Sequence, residues 1–344
     1  MAIDPTSTKI LITGANGFIG LHTVLHFLKR GYNLCATVRT QEHGEKVRET
    51  LTKHTGTNKL EFISADLTKE EGWDQAAAGC DYVLHVASPF PTDAPKDENE
   101  LIIPAREGTL RVLRAAQRAG VKRVVLVSSM AAVTGGHERE NRVFNESDWT
   151  DTNKTDYAYA KSKTLAEQAA WAFIRSAENQ KGMELVSVNP SNVFGPVLDN
   201  RHHTSTEWFG TLLRHEIPGL TRTQLNLVDV RDLVEMIEQA MITPEAAGRR
   251  FIANGASIPL QEFALILDRN FGSRGYRVPT RLLPDWIVRF FAIFIPKTKP
   301  VVDTLGWNYS ISTEQARSIL GWQPRPYEGT IIEMAQSMIE QGLV

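Results

Sequence analysis

A turn with three regularly spaced glycines limits the folds open to this chain more than any other feature. Residues 13–20 read Thr-Gly-Ala-Asn-Gly-Phe-Ile-Gly, between an apolar run at 9–13 and a helical apolar pattern at 18–30. Gly14 allows a tight turn, Gly17 lets backbone N–H groups approach a pyrophosphate, and Gly20 lets the helix pack close to the strand. Because a helix N-terminus faces negative charge favourably, the strand–turn–helix unit predicts a dinucleotide site.

Short apolar runs alternate with helical patterns through most of the chain. The runs lie at 9–13, 33–39, 60–65, 82–87, 123–128 and 184–188, and the main helical stretches at 18–30, 100–119 and 157–177. Nearly continuous apolar strands separated by helices imply a parallel sheet that is covered on both faces. The crossover rule makes such a sheet doubly wound, so the predicted fold class is α/β with a Rossmann-type sheet.

The rhythm of the sequence changes after residue 190. Loops lengthen, a strand-like run at 224–230 leads into a helical pattern at 232–241, and a proline-punctuated helical tail follows. We interpret residues 1–190 with 223–243 as a nucleotide-binding domain. A smaller C-terminal substrate-binding domain would then comprise 191–222 and 244–344.

Composition excludes several classes of protein. The 344 residues are 42% hydrophobic and 23% charged, which is typical of a globular chain. The 38 basic and 40 acidic side chains give a net charge of -2 and no reason to expect a nucleic acid partner. The two cysteines, Cys35 and Cys80, lie in or beside apolar runs and are expected to be small core residues.

No stretch of the sequence predicts a signal peptide or a membrane span. The most apolar stretch, 286–295, is about half the length of a bilayer span and contains Arg289. We expect it to pack on the core, over the substrate cleft or in a subunit interface, with a membrane-surface anchor as the weaker alternative. The chain is accordingly expected to be cytoplasmic, without a membrane partner, and a homodimer is one candidate state.

The end of the second apolar run indicates which dinucleotide is bound. Chains that bind NAD usually place an acidic residue there to hold the ribose 2′-hydroxyl, whereas this chain has Arg39. A guanidinium pairs with a 2′-phosphate, so we expect NADP(H) as the cofactor. Asp66, followed by Leu67, ends the third run and either accepts from the adenine amine or caps a turn. Ala87 and Ser88 end the fourth run and are candidates for backbone contact with the nicotinamide half.

A tyrosine–lysine pair is the candidate for proton transfer. Tyr159 and Lys163 are four residues apart in a helical stretch and so share one face, but Tyr157 and Lys161 have the same spacing. An ammonium beside a phenol is expected to lower the pKa of the phenol. Ser129, at the end of the fifth run, could orient a substrate oxygen.

These residues resemble the extended short-chain dehydrogenase/reductase family, in particular its dihydroflavonol reductase, cinnamoyl-CoA reductase and fungal ketoreductase branch. The matching segments are 13–20, 36–39, 85–90, 127–133, 159–167, 189–196 and 228–232, with a closing Gly-Trp-Gln-Pro at 321–324. The resemblance implies that Ser129, Tyr159 and Lys163 are catalytic, which leaves Tyr157 and Lys161 without that role. The family's frequent asparagine is absent from 105–109, where the chain reads Ala-Arg-Glu-Gly-Thr, so a proton relay through it is not expected.

The resemblance also completes the expected binding site. It implies that Lys163 holds the nicotinamide ribose and that residues after the sixth run meet the carboxamide. The expected cofactor-binding residues are Gly14, Asn16, Gly17, Phe18, Ile19, Gly20, Arg39, Asp66, Leu67, Ala87, Ser88, Tyr159, Lys163, Pro190, Asn192 and Val193. The expected substrate contacts are Phe90, Met130, Phe194 and Trp208.

The predicted activity is NADPH-dependent reduction of an aldehyde or ketone, reversible as alcohol oxidation, with apolar or aromatic substrates. Arg39 disfavours the first alternative, an NAD-dependent sugar-nucleotide epimerase or dehydratase, and a steroid-type dehydrogenase is another. A non-catalytic NADP(H)-sensing protein is the alternative of a different class. His22 and His26 are four apart on a helix, but no third ligand is evident, so we expect no metal.

Overall fold

A seven-stranded parallel sheet runs through the centre of the molecule. The computed structural model describes residues 3–89, 97–138, 142–294, 299–302 and 304–344. The strands are β1 (Lys9–Thr13), β2 (Asn33–Val38), β3 (Leu60–Ser64), β4 (Tyr82–His85), β5 (Arg123–Val127), β6 (Val143–Phe144), β7 (Glu184–Pro190), β8 (Asn192–Phe194), β9 (Gln224–Asp229), β10 (Arg250–Ala253), β11 (Ala256–Pro259) and β12 (Ser310–Ile311).

Helices connect the strands and form the C-terminal part of the chain. They are α1 (Phe18–Lys29), α2 (Gln41–Thr52), α3 (Trp73–Ala77), α4 (Asn99–Ala119), α5 (Ala158–Arg175), α6 (Thr204–Leu213), α7 (Val230–Ile242), α8 (Leu260–Phe271), α9 (Asp285–Phe294), α10 (Lys299–Val302), α11 (Glu314–Leu320) and α12 (Tyr327–Glu340).

The order of the strands in the large sheet is β10-β7-β5-β4-β1-β2-β3, and every neighbouring pair is parallel. The chain adds β2 and β3 on one side of β1, and then crosses over to add β4, β5, β7 and β10 on the other side. Ligands bind at such a switch point, outside the carboxyl ends of the strands. The predicted doubly wound Rossmann-type fold is confirmed.

Both faces of the large sheet are buried, which explains the nearly continuous apolar strands. Along β5, Val125 and Val127 point into one core, which also includes α1 and α7 side chains. Val124 and Leu126 point into the opposite core, which α4 and α5 help to form. Since successive strand residues face opposite sides, a strand covered on both sides must be apolar at every position.

Two strands pair outside the region to which the sequence assigned them. The run at 224–230 was assigned to the nucleotide-binding region, but β9 pairs with β8 and β11 in a separate three-stranded sheet. Conversely, β10 belongs to the region assigned to the substrate, but it forms the edge of the large sheet beside β7. Only α7 returns to the large sheet from this stretch. The division into two domains stays a prediction, because one apolar core extends through both regions.

Helix α9 exposes most of its apolar side chains instead of packing them on the core. Trp286 is 69% exposed and Ile293 is 74% exposed, and Phe290, Phe291 and Phe294 are also exposed. Val288 is its buried residue. The expectation that this stretch packs on the core is therefore wrong for its large side chains. In the described part of the chain, no helix is long and apolar enough to cross a membrane.

Candidate active site

In the glycine turn between β1 and α1, two of the three glycines lie too close to neighbouring backbone atoms to carry a side chain. Gly14 has a φ of +73°, and a Cβ there would lie 2.9 Å from the Ala87 Cα. A Cβ on Gly20 would lie 2.0 Å from the Gly14 carbonyl oxygen. A Cβ on Gly17 would meet nothing closer than that same oxygen at 3.4 Å, which is ordinary contact. The fold thus requires Gly14 and Gly20, while Gly17 leaves space in front of the turn.

We expect Gly20→Ala and Gly17→Ala to fail in different ways. In Gly20→Ala the new methyl overlaps backbone, so we expect about 1–3 kcal/mol of lost stability as well as weaker cofactor binding. In Gly17→Ala the fold is kept but the methyl occupies the space in front of the turn. Thermal unfolding and a fluorescence titration with NADPH separate the two effects. Unchanged NADPH affinity in Gly17→Ala would remove this residue from the site.

The N-terminus of α1 is open to an anion. Gly17 is its N-cap, no described side chain caps the helix, and its first turn contains no acidic residue. The free N–H groups at a helix start attract negative charge, which the helix dipole reinforces. Asn16 is half-buried in the turn, while Phe18 and Ile19 open the helix. These are the residues that would face a pyrophosphate, so the turn fits a dinucleotide.

Arg39 and Asp66 follow the neighbouring strands β2 and β3. Arg39 is exposed and forms no ion pair with another described residue, but its charge helps to lower the pKa of Asp66. The larger causes of that lowered pKa are hydrogen bonds from the Thr68 backbone N–H at 2.8 Å and the Thr68 hydroxyl at 2.7 Å. Asp66 thus closes a turn, which is one of its two expected roles. Leu67 packs against Gly108 of α4.

His85, at the end of β4, was missed by sequence reasoning. Its Nδ1 lies 2.8 Å from the Thr13 hydroxyl, whose oxygen accepts the Ala87 N–H at 3.0 Å. Burial lowers the pKa of His85 to about 3, and the charge of Lys163 acts in the same direction. His85 is therefore neutral and fixes Ala87 beside the glycine turn. Ser88 follows, half-buried.

Ser129, Tyr159 and Lys163 come together at the carboxyl end of β5. Ser129 precedes a short 3₁₀ turn, and its Oγ accepts the Ala131 N–H at 3.1 Å. Tyr159 lies in the first turn of α5, and its hydroxyl forms a hydrogen bond with the Ser129 side chain. Lys163, one turn later, is buried with its Nζ 3.4 Å from the Val127 carbonyl oxygen.

The alternative pair with the same spacing lies elsewhere. Tyr157 is 46% exposed, with its ring centre 5.8 Å from that of Tyr159. The Lys161 Nζ donates to a carboxylate oxygen of Glu98, just before α4, at 2.6 Å. Spacing alone left the two pairs equivalent, but only Tyr159 is hydrogen-bonded to Ser129 among the described contacts of the two tyrosines.

The pKa of the candidate phenol moves in the direction opposite to that expected from sequence. Burial raises the pKa of Tyr159 to about 12, and the hydrogen bond from Ser129 offsets only part of this shift. Burial also lowers the pKa of Lys163 to about 8, against the opposing charge of Glu167. Loss of hydration is therefore the largest influence on the pKa of each of these two side chains. Tyr159 carries its proton at neutral pH, as an acid requires.

The residues after β7 lie beside this group. Pro190 is the last residue of β7, next to β5 in the sheet, and is buried. Asn192 is exposed and pairs with Leu227 of β9, and its side chain donates to the Asn226 carbonyl oxygen at 2.7 Å. Val193 is buried and pairs with Val228 of β9. The segment expected to meet the carboxamide is thus held between two sheets.

The expected substrate contacts differ in how accessible they are. Phe194 is buried, with ring centres of Trp208, Phe209 and Phe263 at 5.5–5.8 Å. Met130 is buried in a small cluster with Phe144. Trp208 is 38% exposed and stacks on Phe194, so it is the member of the set best placed to touch a ligand. Phe90 lies outside the described residues.

A buried carboxylate close to Ser129 and Lys163 was also missed. Glu167 forms an ion pair with Arg250, with 2.7 Å between Oε1 and Nε, and accepts from the Ser128 hydroxyl at 2.6 Å. Asn189 donates to Glu167 at 2.8 Å and to the Ser129 carbonyl oxygen at 3.1 Å. Glu167 stands one helical turn after Lys163, which is a detectable signal. Arg250 is 83 residues away and gives no local signal.

The histidine pair of α1 has other partners. His22 Nε2 lies 2.8 Å from the Pro196 carbonyl oxygen, and His26 Nε2 lies 2.8 Å from a Glu238 carboxylate oxygen. Burial lowers the pKa of His22 to about 4. Within the described ranges, no three His, Cys, Asp or Glu residues are grouped so as to hold a metal ion.

Comparison with known proteins gives consistent matches. A model of the NAD dependent epimerase/dehydratase family matches residues 10–253. The cinnamoyl-CoA reductase CAD2 of Medicago truncatula is 32% identical over 347 residues, covering 99% of this chain and 98% of that protein. The bifunctional dihydroflavonol 4-reductase/flavanone 4-reductase of Malus domestica is 31% identical over 282 residues, covering 80% of this chain and 79% of that protein.

A solved structure matches along nearly the whole chain. The yeast methylglyoxal/isovaleraldehyde reductase Gre2, in its complex with NADPH, superposes with a TM-score of 0.82 at 28% identity. The match covers 98% of this chain and 100% of that chain. The similarity therefore includes the C-terminal region as well as the large sheet.

Proposed function

We propose a function for this chain from one premise: it belongs to the NAD dependent epimerase/dehydratase family. Within that family it resembles the dihydroflavonol and cinnamoyl-CoA reductases, and it is an oxidoreductase that uses NADP(H). We infer that it reduces the carbonyl group of an aldehyde or ketone, and oxidises the alcohol in reverse. The observation that carries the proposal is the hydrogen bond between Tyr159 and Ser129, with Lys163 one turn away.

The residues of the nucleotide site fit a phosphorylated dinucleotide. The uncapped start of α1 would receive the pyrophosphate, because its N–H groups and dipole favour an anion. Arg39 is exposed at the end of β2 and would pair with the 2′-phosphate. The neighbouring Thr40 is already engaged by His43, since its hydroxyl oxygen accepts the His43 N–H at 3.3 Å and lies 3.0 Å from His43 Nδ1.

Bound NADPH would supply a hydride to the carbonyl carbon, and the chain's own residues would manage the oxygen. Tyr159 holds its proton firmly because it is buried, so it can act as the general acid for the developing alkoxide. Ser129 already accepts the Ala131 N–H, which directs its own hydroxyl proton toward Tyr159 or a substrate oxygen. Lys163 would place a positive charge near the same oxygen and hold the ribose.

The region around the cleft favours an apolar, often aromatic, substrate. Trp208 presents a partly exposed ring on a base of packed aromatic side chains. A sugar-nucleotide epimerase needs unpaired cationic side chains to bind a diphosphate. The three arginines of residues 191–222 are instead paired with carboxylates. Arg201 donates to Asp199, Arg214 to Glu216 and Arg222 to Asp285, each at 2.6 Å. The pairing supports the reductase over the epimerase.

The test is NADPH oxidation, followed by absorbance, with a panel of aromatic aldehydes, aliphatic aldehydes and diketones. We expect oxidation that depends on the carbonyl compound and is much faster with NADPH than with NADH. Tight NADPH binding without turnover on any member would favour a sensing protein instead. Conversion of a nucleotide sugar without net cofactor oxidation would favour an epimerase or dehydratase.

A further inference from the structure

The proposed mechanism leaves one buried charged group without a role. The side chain of Glu167 is fully buried, and its oxygens accept hydrogen bonds from four different side chains. The donors are Arg250 Nε at 2.7 Å, Ser128 Oγ at 2.6 Å, Asn189 Nδ2 at 2.8 Å and Trp171 Nε1 at 3.3 Å. The charge of Arg250, with hydrogen bonds from Arg250, Ser128 and Asn189, keeps the pKa of Glu167 below its usual value despite burial, so the carboxylate is ionised.

Arg250 is fixed from its other side. Its Nη1 donates to the carbonyl oxygens of Glu146 at 2.8 Å and Asp148 at 2.6 Å. Its guanidinium lies over the Trp149 ring, 3.7 Å from the ring centre. Arg250 therefore holds Glu167 in one geometry. Such a pair is costly to break, because one partner then remains as an uncompensated buried charge.

The hydrogen bonds of Glu167 reach each element that carries a proposed catalytic residue. Glu167 itself lies four residues after Lys163 on α5, so the two side chains share a helix face. Ser128 immediately precedes Ser129 at the end of β5. Asn189, in β7, links Glu167 to the Ser129 carbonyl oxygen. One carboxylate thus ties α5, β5 and β7 together behind the site.

We propose that Glu167, anchored by Arg250, is a positioning residue: its charge stabilises the Lys163 ammonium, and its hydrogen bonds fix Ser129 relative to Tyr159. The inference rests on the proposed function, since Lys163 and Ser129 must act as described for it to matter. The inference goes beyond that function because it gives the Glu167–Arg250 ion pair an effect on catalysis as well as on stability.

Glu167 is the charged group that most affects the pKa of Lys163. The titratable groups that interact electrostatically with Lys163 are Glu167 on its own helix and His85 from β4, and Tyr159 lies one turn earlier on that helix. Tyr159 and His85 are both neutral at pH 7, because burial raises the pKa of the first and lowers that of the second. Arg250, from β10, faces Glu167 rather than Lys163. Within the described part of the chain, Glu167 is therefore the carboxylate that opposes the effect of burial on Lys163.

We expect Glu167→Gln to shift the alkaline limit of activity to lower pH. A lysine that must be charged gives activity below its pKa, and activity falls as pH rises through that pKa. Burial alone lowers the pKa of Lys163, and Glu167 opposes the shift, so losing the carboxylate lowers the pKa further. A displacement of about one pH unit follows, which lowers kcat by about twofold at pH 7 and by about tenfold at pH 9.

Two further variants keep this test interpretable. Glu167→Asp keeps the charge but shortens the side chain, so it is expected to lose thermal stability yet retain the wild-type alkaline limb. Glu184→Gln is the matched control, because Glu184 pairs with the largely buried Arg123 at the amino ends of β7 and β5, at the edge opposite the site. We expect the pH profile of Glu184→Gln to be unchanged.

A second readout does not depend on turnover. The chemical shift of the Lys163 Cε in protein labelled with ¹³C at the lysine Cε, followed by NMR across a pH series, reports the pKa of Lys163 without a reagent that would have to reach a buried side chain. We expect a midpoint near 8 in the wild type and a lower one in Glu167→Gln. Identical midpoints in wild type and Glu167→Gln would overturn the inference, even if the wild type proves an active reductase. A shifted midpoint in a chain with no reductase activity would instead overturn the proposed function.

Discussion

Replacing Tyr159 by phenylalanine is expected to lower turnover by about 10²-fold or more, the usual contribution of a positioned general acid. The variant removes one hydroxyl from a ring that α5 holds in place, so the fold and the cofactor site should persist. The hydroxyl lost is the one hydrogen-bonded to Ser129. The measurement is kcat with the best carbonyl substrate from the panel, at saturating NADPH, beside a thermal unfolding curve.

Tyr157→Phe is the matched control for that variant. Its ring lies next to that of Tyr159 in the chain and in space, but it is 46% exposed and its lysine counterpart is paired with Glu98. We expect turnover close to that of the wild type. If Tyr157→Phe were the inactive variant and Tyr159→Phe the active one, the roles assigned to the two tyrosines would have to be exchanged.

Replacing Arg39 by aspartate is expected to reverse the preference between the two dinucleotides. A charge-assisted contact contributes about 1.5–3 kcal/mol, so its loss should weaken NADPH binding by about 10- to 100-fold. An aspartate at this position can instead accept from the ribose 2′-hydroxyl of NADH. Because Arg39 is exposed and has no ion-pair partner among the described residues, stability should not change. The ratio of kcat/KM for NADPH and NADH measures the effect.

Lys53→Asp makes the same change in net charge at the far end of α2, where Lys53 is exposed. It should leave the cofactor preference as it is, which separates a specific contact from a general electrostatic effect. Equal losses of NADPH affinity in Arg39→Asp and Lys53→Asp would show that Arg39 makes no specific contact with the 2′-phosphate.

The large sheet could be predicted from sequence because its strands are buried on both faces. Burial makes runs such as 9–13 and 123–128 almost continuously apolar, and they match β1 and β5 within one residue. The small sheet gave a weaker signal, since β8 and β11 have only three and four residues. The sheet to which β9 and β10 belong depends on partners far along the chain, which a local pattern does not contain.

The candidate site was predictable in its residue types but not in its electrostatics. The glycine turn, Ser129 and the tyrosine–lysine spacing are local patterns, and the structure brings them to one edge of the sheet. The pKa of Tyr159 was expected to fall, yet burial raises it to about 12, because sequence shows the neighbouring lysine but not the loss of water. The pairing of Arg250 with Glu167 across 83 residues was likewise invisible.

The transfer of deuterium from NADPH labelled at nicotinamide C4 tests the central claim most directly. Each of the two C4 stereoisomers would be incubated with the chain and a carbonyl substrate, and the product alcohol analysed by mass spectrometry. The account predicts that one stereoisomer places its deuterium on the carbinol carbon, in an amount equal to the NADP⁺ formed. Deuterium that stays in the cofactor, with no alcohol formed from any carbonyl compound of the panel, would contradict it.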